Sequence, residues 1–179
     1  MDTTLILFSG LAGTGKSTLA HALAHALKIP VVSFDYFIDY ALPRHVLNNP
    51  ANWTNQDVFE MMNKLADQQL SLGLSVILDA VYFSQASRAS VRAVAEKCQV
   101  RFRAIHTTCS DKAVWRDRVV ARAINALPNE TPAQWDRVMA ELNEFQPWSQ
   151  EDALFVDSIR PVEENLQRMQ NYLVQPKTP

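Results

Sequence analysis

Gly10, Gly13 and Gly15, followed at once by Lys16 and Ser17, set the first chemical constraint on this chain. Their spacing fits G-x-x-x-x-G-K-[ST], the loop that holds a nucleotide's phosphates. An apolar run, Leu5-Ile6-Leu7-Phe8, leads into the loop, and a helix-forming run rich in Ala and Leu follows it. Strand, glycine loop and helix in that order turn successive backbone N–H groups toward an anion, and the helix adds the positive end of its dipole. Side chains at the glycines would block that approach. Lys16 is placed to reach the β- and γ-phosphates, and the Ser17 hydroxyl to hold Mg²⁺. The expected nucleotide-binding set is Gly10, Gly13, Thr14, Gly15, Lys16, Ser17 and Thr18, with ATP and Mg²⁺ as ligands.

Two carboxylates fall at the ends of apolar runs. Asp79 closes Val76-Ile77-Leu78, the pattern that places an acid beside the metal of a phosphate loop. Asp35 follows Val31-Val32-Ser33-Phe34, across the groove from the phosphates, where it can accept the proton of an attacking hydroxyl. Asp39, four residues on, reads as a loop carboxylate. Arg116, Arg118 and Arg122 share one helix, and Arg118 and Arg122, at i and i+4, share a face. Arginines entering a flap from such a face can meet the transferring phosphoryl group, so Lys16, Asp35, Arg118 and Arg122 form the expected catalytic set, and Ser17 with Asp79 the metal set. Arg88 reads as a surface residue. Arg44 and His45 are candidates for substrate contact, Trp53, Trp135 and Trp148 read as packing anchors, and His21 and His25 as surface histidines.

These residues need elements to hold them. Strands are expected at 4–9, 31–34, 76–79, 100–108 and 153–156, and helices at about 16–27, 55–71, 85–98, from 111 up to the break at Leu127-Pro128-Asn129, from Thr131 to Phe145, and at 161–174. Thr54, Ser84 and Asp111 read as N-caps, and Thr131–Gln134 as a capping box. Trp115, Val119 and Val120 should face inward, and the Arg101–Arg103 end of the fourth strand should be solvated. Residues 36–56 break any period. Strands alternating with helices imply an α/β fold, a mostly parallel sheet covered on both faces, with ligands at the carboxyl ends of the strands.

The 179 residues suit one domain, 1–179. A net charge of −2 and a pI near 6.1 argue against bulk nucleic-acid binding. Cys98 and Cys109 have no metal spacing and point to a reducing compartment. No apolar run reaches membrane-spanning length and no leader is evident, so the expectation is a cytoplasmic monomer without membrane partners.

GLAGTGKST at 10–18, VSFD at 32–35, ILDAVYF at 77–83, DRVVAR at 117–122 and LFVDS at 154–158 together resemble the P-loop kinases with an AAA-type ATP-binding domain, among them zeta toxins, polynucleotide kinases, chloramphenicol phosphotransferase and gluconate kinase. The resemblance implies a three-layer P-loop fold with strand order 2-3-1-4-5. It also implies a flap over about 123–150 with Arg118 and Arg122 as phosphate contacts, and a substrate loop over about 36–56. Asp35 falls where these kinases keep the acid that activates the acceptor. Polynucleotide kinases carry arginine three residues later, and here the position is Ile38. The expected activity is transfer of the γ-phosphate of ATP to a hydroxyl of a small molecule. The alternatives are a kinase of a nucleic-acid end or nucleotide, and a nucleotide-binding regulator with no acceptor.

Overall fold

Leu5, Ile6, Leu7 and Phe8 have no exposed surface, which puts the first strand at the centre of the sheet. β1 (Thr4–Ser9) lies between β3 (Val76–Asp79) and β4 (Arg101–Thr108), parallel to both. β2 (Val31–Ser33) flanks β3, and β5 (Leu154–Asp157) flanks β4, so the order is β2-β3-β1-β4-β5, as the resemblance implies. The computed structural model describes residues 2–41, 54–126 and 133–175.

The helices are α1 (Lys16–Leu27), α2 (Phe34–Tyr36), α3 (Asn55–Ser71), α4 (Gln85–Lys97), α5 (Lys112–Ile124), α6 (Trp135–Glu144) and α7 (Val162–Val174). Alternate residues of β1 enter different cores, as a pleated strand buried on both faces requires. Leu5 and Leu7 join Met62 of α3 and Val91 of α4. Ile6 and Phe8 join Leu19 and Leu23 of α1 and Met169 of α7. Each such side chain contributes roughly 1.5–3 kcal/mol on burial. A smaller cluster of Leu11, Trp115, Val119 and Val138 packs α5 and α6 against the glycine loop. Among the described residues no helix is long and apolar enough to cross a membrane.

The caps follow the sequence closely. Thr54 and Asp57 form a reciprocal capping box, Ser84 accepts from Ser87 N, and Asp111 accepts from Ala113 N and Val114 N. Several details differ from expectation. The segment after β2 is ordered: α2 passes directly into a π-helical turn at Phe37–Ala41, an uncommon geometry that favours functional sites. Residues 42–53, with Arg44, His45 and Trp53, lie outside the described residues, as do 127–132, with the Leu127-Pro128-Asn129 break and Thr131. α6 starts only at Trp135, with Gln134 as its N-cap. Val120 is 41% exposed, while Trp115 and Val119 face inward. Arg103 is buried, not solvated. Its guanidinium lies over the Tyr172 ring and Nη2 donates to the Gln175 carbonyl, while Nε is buried without a hydrogen-bond partner.

His106 on β4 sits between Phe145 and Phe155, with ring centroids 5.1 and 5.3 Å away, and its Nδ1 is 3.4 Å from Ser9 Oγ. Burial, and secondly the charge of Arg88, pushes its pKa down to about 4. The unfolded chain takes up this proton near pH 6.5, while the folded chain resists it. The associated stability is therefore present above about pH 6.5 and is lost as the pH falls toward 4, by about 3 kcal/mol at most. Thermal melts should show this decline, and His106→Gln should flatten it. Wild-type and variant melting profiles that run parallel from pH 7 to 4.5 would remove His106 from the account.

Candidate active site

The glycine loop leaves β1 at Ser9 and enters α1 at Lys16. Gly10 has φ +146°, and a Cβ there would lie 2.3 Å from Thr107 Oγ1 and 2.6 Å from the Thr107 carbonyl. Gly13 has φ +79°, and its Cβ would lie 2.5 Å from Val119 Cγ2. Both positions therefore need glycine for backbone conformation and for space. The loop's tip is pinned from outside, where Trp115 Nε1 donates to the Ala12 carbonyl at 2.7 Å. Thr14 turns inward, donating to the Leu11 carbonyl at 2.7 Å and meeting Thr107 Oγ1 at 3.0 Å. Gly10 and Thr14 thus shape the loop from behind, while Gly13, Gly15, Lys16, Ser17 and Thr18 line the cleft. Gly15 caps α1 in the left-handed conformation with no side-chain hydrogen bond to the first turn, so the helix's leading N–H groups face the cleft rather than a cap.

Lys16, which lines the cleft, forms a charged pair with the buried Asp79. Lys16 Nζ is 2.7 Å from Asp79 Oδ1, and the residues are 8% and 1% exposed. Asp79 Oδ2 is buried without a hydrogen-bond partner. A buried carboxylate with one oxygen held by an ammonium and the other without a partner is a hard oxygen donor of the kind that Mg²⁺ takes, and the Ser17 hydroxyl would be a second. Among the described residues no group of three or more His, Cys, Asp and Glu is placed to hold a metal by itself, so phosphate oxygens would complete that coordination. Tyr82 is fully buried near Asp79, and burial first and that carboxylate second raise its pKa, so it stays protonated.

α5 supplies the arginines. Arg122 Nη2 is 3.0 Å from Asp35 Oδ2, an ion pair across the cleft with both side chains nearly half exposed. Arg118 donates to Ser158 Oγ at 2.7 Å and to the Ser158 carbonyl at 3.2 Å. Arg116 is exposed and borders a separate groove between α5 and α6. The expected catalytic set of Lys16, Asp35, Arg118 and Arg122 thus lines one cleft of about 440 Å³. Sequence reasoning gave Ser158, within LFVDS, no site role and missed Arg160 and Val162; all three line the cleft just past β5. Their signal was position alone, at the carboxyl end of the fifth strand.

A second cleft, of about 510 Å³, opens beside the first. His21, Asp39, Tyr36, Tyr40 and Leu65 help to line it, so Asp39 faces a cavity rather than an irregular loop. Tyr36 and Tyr40 are 61% and 53% exposed and their rings lie 5.5 Å apart. The residues shared by both clefts are Ser17, Asp35 and Arg122. Trp135 packs edge-on against Trp115, and Trp148 donates to Ser9 Oγ at 3.1 Å, so both act as packing anchors.

The AAA-domain family model matches residues 5–146 of this chain. An adenylyl-sulfate kinase from Geotalea uraniireducens (strain Rf4) is 32% identical over 108 residues, which cover 59% of this chain and 50% of that protein. The matched region therefore spans about half the length of this curated relative. Kti12 from Chaetomium thermophilum, solved in complex with ADP-AlF3, superimposes with a TM-score of 0.74 at 14% identity over 96% of this chain and 100% of that one. A gluconokinase from Sinorhizobium meliloti 1021 gives a TM-score of 0.63 at 17% identity, covering 95% of each chain. At such identities these structures share the fold. With the family match over most of its length and the phosphate loop, strand order and strand-end acids in place, the chain belongs to the AAA-domain family of P-loop kinases.

Proposed function

We propose that the protein transfers the γ-phosphate of ATP to a hydroxyl of a small molecule. One observation carries this reading: among the described residues, the cleft beneath the glycine loop and the adjoining cleft share Ser17, Asp35 and Arg122. One cleft takes the nucleotide and the other the acceptor, so the transferring group passes where a metal-holding hydroxyl, a base and a cation converge.

The chemistry needs positioning and charge neutralisation more than covalent help. The acceptor oxygen attacks the γ-phosphorus, its proton passes to an Asp35 carboxylate oxygen, and the bond from the γ-phosphorus to the β-γ bridging oxygen breaks, leaving ADP. Lys16, the loop amides and Arg118, which lines the same cleft beside Ser158, neutralise the phosphate oxygens. Arg122 must exchange its contact with Asp35 for phosphoryl oxygens, which at the same moment frees Asp35 for the acceptor. Ser17 and Asp79 would hold Mg²⁺, whose charge would supply further electrostatic stabilisation of the transferring group.

Ile38 supports a small acceptor over a nucleic-acid end. It is packed against the apolar core together with Phe34 and Phe37, so no cation projects from that position toward a neighbouring phosphate.

Calorimetry with ATP and Mg²⁺ should show binding to the wild type and a loss of at least about tenfold in Lys16→Ala, since a charge-assisted contact to phosphate is removed. Equal affinity in the two proteins refutes nucleotide binding at this loop. ATP consumption across sugars, nucleosides, amino alcohols and antibiotics should identify an acceptor. With it, Asp35→Asn should lower kcat by about 10²–10⁴-fold and leave ATP affinity within about threefold. An unchanged kcat assigns the proton to another group.

A further inference from the structure

The sequence places Arg88 on the surface, yet the structure buries it at 6% exposure. It stands in the first turn of α4 and donates in two directions. Its Nε reaches the Tyr82 carbonyl at 2.8 Å, and Nη2 the Phe83 carbonyl at 3.1 Å. Its Nη1 reaches the Pro147 carbonyl at 3.2 Å, and Nη2 also the Gln146 carbonyl. The guanidinium lies over the rings of Trp148, at 4.4 Å, and Phe145, at 4.9 Å. No carboxylate pairs with it in this hydrogen-bond set. Desolvation pushes its pKa down to about 10, and main-chain carbonyls and ring faces supply what water would have supplied.

The segments it joins are 60 or so residues apart in the chain and both matter to the site. Tyr82 and Phe83 end the loop that begins at Asp79, and Tyr82 holds φ +46°, a costly conformation for a tyrosine. Phe145–Trp148 is the far root of the flap. Contacts around Arg88 reinforce the same junction: Gln146 N donates to the Phe83 carbonyl at 2.9 Å, Gln85 N donates to Gln146 Oε1, and Trp148 Nε1 donates to Ser9 Oγ. From this root the packing runs without a gap to the phosphate contacts. Phe145 and α6 pack through Val138 and Trp135 onto Trp115 and Val119 of α5, and α5 carries Arg118 and Arg122.

We propose that Arg88 is a positioning residue, which fixes the flap's far root to the loop after Asp79 and thereby sets where Arg118 and Arg122 stand over the transferring phosphoryl group. It touches no substrate in this arrangement. The role needs arginine: a planar fork with five N–H donors serves carbonyls on opposite sides at once, whereas lysine offers donors from one nitrogen and reaches one side only. This inference rests on the kinase reading for its catalytic consequence, and on the flap contacts alone for its structural one.

The test uses the full chain with Arg88→Lys, and with Gln146→Ala as a second variant that removes an exposed peg of the same root and spares the buried core. Hydrogen–deuterium exchange should quicken in residues 80–83 and 133–148 of both variants and leave β1 and α1 at the wild-type rate. Calorimetry should give ATP affinity within about threefold of wild type, because the glycine loop is untouched. With an accepted substrate, kcat should fall about tenfold in Arg88→Lys and about two- to threefold in Gln146→Ala, at nearly constant KM for ATP, the signature of displaced groups rather than lost binding. Unchanged exchange at the root, exchange raised uniformly through the chain, or kcat equal to wild type in the folded variants would each overturn the proposal. If the wild type turns over no ATP with any acceptor, the kinase reading fails by itself, and the exchange pattern still decides whether Arg88 holds the flap.

Discussion

A lysine ammonium and an aspartate carboxylate 2.7 Å apart, both almost out of reach of water, set the terms for the rest of this molecule. Removing either partner would strand a buried charge, so the pair demands that β1 and β3 be neighbours and that both end at the same level. The parallel register does this, with Phe8 opposite Asp79. The second carboxylate oxygen, Oδ2, is buried without a hydrogen-bond partner, which makes this junction costly as well as specific.

The second constraint is close approach. A loop whose backbone must face a polyanion cannot keep side chains between itself and its supports. Here Thr107 presses on Gly10 and Val119 on Gly13, so β4 and α5 buttress the loop directly. The same helix carries Trp115, which holds the Ala12 carbonyl, and the arginines that reach toward Asp35 and Ser158. Loop shape and arginine placement are therefore not independent, because one helix carries both.

A third element, the root at Phe145–Trp148, closes the circuit. Arg88, Trp148 and His106 converge there beneath Ser9, and the polar groups are matched to carbonyls, a hydroxyl and ring faces rather than to water. Burying a guanidinium in this way is costly unless every donor finds a partner, and the cost makes the junction specific.

The glycine loop, the central apolar strand, the strand-end acids and most helix caps were legible in the sequence, because each depends on local rules: spacing, periodicity and side-chain caps within a few residues. Lys16, Ser17, Asp35, Asp79, Arg118 and Arg122 could be named for the same reason. What only the tertiary structure decided are the pairings between distant segments: Arg122 with Asp35, Arg118 with Ser158, Arg88 with the flap root, Arg103 with Tyr172. A charged side chain reads as solvated in sequence, and whether a carbonyl or a ring waits for it dozens of residues away is fixed by strand order and packing, not by its neighbours in the chain.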